Sequence, residues 1–423
     1  MRRGSWQHGR NGALGIAFAL GLAACGGGDG SSDQLNNGTG ATDPNAPGSV
    51  NPNPGGSTPG GGGGAGGGGN TPTPTPVLDT RVVDYGEALR IASLKLTGDL
   101  PTLDQINEIG SAADAKTAKA AYEKDVDAMI ADKRFTAMMI QWWRDTLKTG
   151  GAPPAMGMPS YDTAATFAAE VVINDRPYTD LFTASTNTCP TYTAATNAFA
   201  DAPCTGTQPT AGLLTDPGIQ AQYFSNMAMR RVRFVQETFV CSKNPAEFST
   251  TPKPMGAGSY TSPWPFTSVT GGGAAKINFQ DTSAVICANC HGTINHQAPL
   301  FGHFDAKGVY DGTKFAVLVP VPGNPAAQLQ DWLPASEGFA WRNGVTVTDL
   351  PTLGAAIAKD PVVATCAVNR VWNWAMSRGD VVNDLATVPV TVTQQYVSDF
   401  NKNGQKLKAT IAAIYKSDDF VKF

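Results

Sequence analysis

Five residues past the middle of this 423-residue chain, Cys287-Ala288-Asn289-Cys290-His291, carry its most specific chemistry. Two thiols in a C-x-x-C spacing can add to the two vinyl groups of one porphyrin. A histidine directly after them can then offer a ring nitrogen to the iron. The pattern is that of covalent attachment of a single haem c through Cys287 and Cys290, with His291 as proximal iron ligand.

The second axial position has several candidates. Met376 is the only methionine downstream of the motif, and methionine raises a haem potential where a second histidine lowers it. Met376 also reads as core packing beside Trp372 and Trp374, because methionine fills irregular gaps. His303 is the next candidate. His296 follows His291 too closely to reach the opposite haem face, and is expected at the surface or against a propionate. Met227, Met229 and Met255 lie upstream and stay open, as does an iron with no second protein ligand. Arg230, Arg231 and Arg233 read either as propionate partners or as a solvated helix face.

Two rival chemistries use the same cysteines. Cys287, Cys290, His296 and His303 have the residue types of a zinc site in an interaction protein. A dithiol redox motif needs a strand-to-helix setting, which these surroundings lack.

The start of the chain reads as an export signal. Arg2, Arg3 and Arg10 precede an apolar run over 13–22, and Leu22-Ala23-Ala24-Cys25 closes it. The run is too short to span a bilayer. A cysteine after Leu-Ala-Ala resembles a bacterial lipoprotein signal over 1–25, with lipid on Cys25. Gly26 in the next position resembles lipoproteins sent to the outer membrane. The expectation is a lipid-anchored protein of the cell envelope, facing the periplasm or the cell surface. Residues 26–77, rich in Gly, Pro and Thr, read as a flexible tether.

Export makes the cysteine count informative. Of seven cysteines, one is assigned to lipid and two to haem. Four remain, an even number for an oxidising compartment. Cys189 and Cys204 flank a polar segment and are expected to close it. Cys241 with Cys366 follows by elimination. The 31 basic and 35 acidic residues give a net charge of −4, which argues against a nucleic-acid partner.

The elements that must position the motif are helical. Apolar residues recur at helical spacing over 84–96, 102–109, 117–131 and 135–147. One further helix is expected at Thr163–Ile173, in a loop-rich insertion over 150–218. Another is expected over 219–241. The tail predicts helices over 350–359, 361–378, 393–402 and 405–417. Stretches 243–280 and 304–348 read as irregular, with a strand-like run at 314–320. The fold expected is mainly α, with helical bundles flanking a c-type haem segment and long loops. It divides into 78–218, a haem domain over 219–320, and a C-terminal helical domain over 321–423.

Several segments resemble the multidomain planctomycete-type c cytochromes. They are Arg90 through Thr102 with its Leu96-Thr97-Gly98-Asp99-Leu100-Pro101-Thr102 turn, Phe135 through Trp142-Trp143-Arg144-Asp145, Arg230 through Val235, and Cys287 through Gly308. Asn369-Arg370-Val371-Trp372, Met376-Ser377-Arg378-Gly379-Asp380, and Ile411 through Phe420 follow. That family usually has Asp-Pro where Asn295-His296 stand, and Asn where His303 stands. Ala298-Pro299-Leu300-Phe301-Gly302 resembles the loop of small c cytochromes whose carbonyl receives the proximal histidine's second N–H, so Pro299 is the expected acceptor. The resemblance implies a mono-haem cytochrome with an unknown redox partner protein. A haem enzyme with an open sixth iron site, acting on peroxide or an oxidisable substrate, is the alternative. No Ser-His-Asp set points to hydrolysis, and there are only four histidines.

Overall fold

The computed structural model describes residues 80–151, 155–204, 209–242, 285–320, 323–383 and 386–423; the side chains of 285–290 and of Asn343 lie outside that description. The export signal with Cys25, the tether and the stretch 243–280 also lie outside the described residues.

The protein is mainly α, with fourteen α-helices among the described residues. They are α1 (Tyr85–Leu96), α2 (Leu103–Gly110), α3 (Ala115–Ala131), α4 (Lys133–Leu147), α5 (Thr163–Ile173), α6 (Asp180–Thr183) and α7 (Pro217–Gln222). Then come α8 (Met229–Phe239), α9 (Val285–Phe301), α10 (Leu350–Lys359), α11 (Pro361–Ala375), α12 (Val390–Lys402), α13 (Leu407–Tyr415) and α14 (Asp418–Val421). Two short antiparallel pairs and three single 3-10 turns are also present among the described residues. β1 (Thr191–Thr193) pairs with β2 (Ala198–Ala200), and β3 (Ala340–Trp341) with β4 (Val345–Thr346).

The helix starts follow from local chemistry. The side chains of Asp84, Asp114, Asp132, Asp349 and Asp360 each accept a backbone N–H of the helix that follows, which satisfies an otherwise orphaned donor. Thr102 and Gln105 form a reciprocal capping box at α2. Proline in the first turn of α10 and α11 removes a donor that has no partner there.

One apolar core runs from Ala88 to Val421, and helices distant in sequence meet across it. α13 packs on α3 and α5, α10 on α6, and α11 on α8. Tyr122 donates its hydroxyl to the Tyr415 carbonyl at 2.6 Å. Val82 and Phe423 exchange two backbone bonds of 3.0 Å. The segments 78–218, 219–320 and 321–423 therefore share a single interior.

Disulfides join Cys189 to Cys204 across the β1–β2 hairpin and Cys241 to Cys366 across 125 residues of sequence. The second fastens the end of α8 to α11. A bridge closing so long a loop removes much of the unfolded chain's freedom.

Three local readings are corrected. The expected helix over 219–241 is broken after α7. Met227 and Ala228 take left-handed backbone angles, φ 55° and 53°. Tertiary bonds hold that break: the Met227 N–H reaches the Leu318 carbonyl, and its own carbonyl accepts from Trp332 Nε1. The run at 314–320 forms only an isolated bridge, Leu318 to Ala326. Of the supposed loop 298–302, residues 298–301 form the last turn of α9, with Pro299 inside the helix, and Gly302 follows in a turn.

Candidate functional site

α9 carries the cysteine–histidine motif. At about 100° per residue, positions 287, 290 and 291 fall within one face roughly 100° wide. The helix therefore places both cysteine positions and the histidine on one side. The two cysteine side chains lie outside the described residues.

His291 is buried, with 8% of its surface exposed. Its Nδ1 lies 3.0 Å from Oδ1 of Asn295, one helical turn on, and Asn295 is itself fully buried. An amide oxygen only accepts, so Nδ1 carries the proton and Nε2 the lone pair. Burial lowers the histidine's pKa, and the bond to Asn295 opposes this. A neutral ring with Nδ1 protonated is the form that offers Nε2 to a metal.

Asn295 therefore fills the place expected of Pro299. The Pro299 carbonyl instead accepts from the Gly302 N–H at 3.0 Å. Helix geometry is the reason. Residue 295 stacks one turn above 291, whereas residue 299 is two turns away, about 12 Å along the axis.

Arg231 corrects the reading of the basic cluster. It is 1% exposed, so it is not part of a solvated face, and none of its donors is left for a propionate. Nε and Nη2 donate to the Gln220 carbonyl at 3.0 and 2.6 Å. Nη1 donates to the carbonyls of Phe301 and Phe304 at 2.8 and 2.9 Å, and Nη2 to that of Asp305 at 2.9 Å. All five guanidinium donors are thus used. Three of the acceptors are carbonyls at and just beyond the end of α9, where a cation is favoured. Burial pushes the guanidinium down to about 9, with the Asp305 charge opposing, so it stays charged at neutral pH. Beside it, Gln236 Nε2 donates to Gln297 Oε1 at 3.3 Å, both side chains being buried. Arg230 and Arg233 are exposed. Arg233 pairs with Glu237 at 2.7 Å.

The other candidates are dispersed. His296 gives Nδ1 to the Gly292 carbonyl at 2.7 Å and faces Glu337 through Nε2 at 3.2 Å. Burial raises the Glu337 pKa and His296 opposes that rise. Both ring nitrogens of His296 are therefore engaged away from a zinc ligand role. His303 lies beyond α9, with Nδ1 2.8 Å from the Lys314 carbonyl and its ring stacked on Phe315 at 4.6 Å. Ten residues of helix from His291 to Phe301 already span about 15 Å, a gap that two imidazoles on one iron do not bridge. Met376 caps α11 and packs on the core beside Trp374. Met227 is buried, with its backbone tied to Leu318 and Trp332. Met255 lies outside the described residues.

Asn295 was not legible as a partner of His291, and Arg231 was read as a propionate partner or a solvated residue rather than as the buried clamp on the end of α9. The i, i+4 spacing of His291 and Asn295 becomes a signal only once the segment is known to be helical. No family model, curated protein or solved structure matches the chain.

Proposed function

We propose that the protein is a lipid-anchored mono-haem c-type cytochrome that passes electrons in the bacterial cell envelope. Cys25 would carry the lipid, and an unidentified redox protein would be the partner. The observation that carries the reading is the state of His291. It is buried, neutral and locked by Asn295 with Nε2 as the lone-pair nitrogen, on the same helical face as positions 287 and 290. Such a donor set fits a covalently held haem: two thiol-bearing positions and one oriented imidazole. When bound, haem would supply a one-electron iron couple. The chain's own part is to fix the ring through Asn295, to surround it with buried side chains, and to hold α9 in place through Arg231.

A second reading is a haem enzyme with an open sixth position. The placement of His303 and Met376 in contacts of their own favours it. Optical spectra of protein made alongside haem-attachment machinery test both readings. A carrier with two strong axial ligands gives a c-type reduced spectrum unchanged by carbon monoxide or cyanide. Ready binding of either ligand selects the enzyme, and a colourless product removes both.

A further inference from the structure

The Cys189–Cys204 bridge has a buried acid set against it that the haem reading leaves without a role. The bridge spans the β1–β2 hairpin. Asp216, fully buried at the start of α7, places Oδ2 3.8 Å from Cys189 Sγ. We propose that Cys189–Cys204 is a thiol–disulfide exchange site, opened by an external dithiol with Asp216 as its proton donor.

The surroundings of the two sulfurs differ in the way such an exchange needs. Cys204 is partly exposed, and its Sγ lies 3.3 Å from the hydroxyl of the buried Thr188. A disulfide sulfur carries no hydrogen, so the hydroxyl is the donor there, and it is placed to hold a thiolate left on Cys204. Cys189 turns its sulfur onto Asp216 instead. Burial pushes that carboxyl up to about 6, against bonds from Ile219, Gly218 and Thr163. A carboxyl that keeps its proton in mild acid, beside the leaving sulfur, is a general acid in position. The charged groups facing the hairpin are Glu170 on α5, Arg176 just after it, and Asp201 at the end of β2.

The hairpin does not depend on the bridge. Thr191, Tyr192 and Thr193 pair with Ala200, Phe199 and Ala198. The Tyr192 and Phe199 rings pack with centroids 5.2 Å apart, and Asn187 donates to Asp201 at 2.8 Å. Cys241–Cys366 is built otherwise. Cys366 is 2% exposed. The sulfurs of that bridge face the carbonyls of Cys366 and Thr238 at 3.6 Å, and Arg370 Nη1 at 3.8 Å, with no carboxyl among these neighbours.

The step balances. A thiolate of the dithiol attacks Cys204 Sγ, the Cys189–Cys204 bond breaks, and Cys189 leaves with the electron pair and takes the Asp216 proton. The second thiolate of the dithiol then attacks its own sulfur bound to Cys204. Cys204 leaves as a thiolate beside Thr188 and is protonated from solvent, as is Asp216. Two electrons pass to the protein, and the dithiol ends as a disulfide.

The test uses the full oxidised chain with dithiothreitol as the probe. Acid quenching, alkylation and peptide mass spectrometry read each cysteine separately, so the result does not depend on haem. Cys189–Cys204 should open at least about tenfold faster than Cys241–Cys366 at pH 5. The ratio of the two rates cancels the reductant's own pH dependence. It should fall about tenfold between pH 5 and pH 7 as Asp216 sheds its proton, and stay level in Asp216→Asn. The proposal is overturned if both bridges open together, as they do through global unfolding, or if Cys189–Cys204 is the slower. It is also overturned if the wild-type ratio ignores pH, or if folded Asp216→Asn keeps the wild-type slope.

Discussion

The front bundle and the α8–α9 pair are buried to a similar degree but in different proportions of apolar and hydrogen-bonding side chains. In the bundle of α1 to α5 with α13, the interior is mainly Tyr122, Phe135, Met139, Trp143 and Ile411, with Asp125, Glu170 and several threonines as its buried polar side chains. Between α8 and α9 the interior also holds Arg231, Gln236, His291, Asn295 and Gln297, each less than a tenth exposed. Apolar packing tolerates substitution when volume is kept. A buried polar set must be satisfied throughout, because each stranded group costs as much as a lost contact or more. The difference teaches that the first region supplies cohesion and the second fixes one geometry for the motif.

The largest expected effect breaks the polar region. Arg231→Met strands the carbonyls of Gln220, Phe301, Phe304 and Asp305 and should cost about 5 kcal/mol. Met139→Leu in the bundle should cost less than about 1.5 kcal/mol. Denaturant unfolding of the two variants measures both. Equal losses would erase the contrast between the regions.

Next comes a pH effect at α7, whose Gln220 carbonyl feeds Arg231. Asp216 is fully buried and caps that helix through Ile219 N–H at 2.9 Å. Burial pushes its carboxyl up to about 6, against the opposing bonds from Ile219, Gly218 and Thr163. The unfolded carboxyl titrates near 3.9. Between about pH 4 and 6 the native chain keeps a proton that the unfolded chain has shed. This group's contribution is therefore full below pH 4 and lost as pH rises through about 6, by about 3 kcal/mol in all. Asp216→Asn keeps a capping oxygen and should flatten that slope, raising stability at pH 7. A variant whose pH profile still falls across this window would contradict the assignment.

The smallest effect sharpens the site itself. Asn295→Ala removes the acceptor of His291 Nδ1 and should cost about 1 kcal/mol. It should also release the ring tautomer, read by nitrogen NMR of the imidazole. An unchanged tautomer would mean that Asn295 does not orient the ring.

Legibility followed the same divide. Helices α1 to α5 and α10 to α13 announce themselves through apolar spacing, aspartate caps and first-turn prolines, and the structure places them within a few residues of their expected bounds. The structure also contains both disulfides. The α8–α9 region was harder, because its ordering forces are non-local. The left-handed pair Met227-Ala228 is held by Leu318 and Trp332, residues about 90 to 105 positions away. Arg231 looks like any basic helix residue until its carbonyl partners, some 70 residues on, are folded against it. Pro299 signalled a loop, yet it lies inside the last turn of α9, where its missing N–H removes one i to i−4 helix bond.

The most direct measurement is mass spectrometry of the denatured polypeptide, produced with working haem-attachment machinery, in wild type and in the Cys287→Ala/Cys290→Ala double variant. The account predicts wild-type chain carrying the mass of one haem through denaturation, and none on the variant. Wild-type chain without that mass, or a variant that still retains it, would contradict the assignment of α9 as the haem-bearing helix.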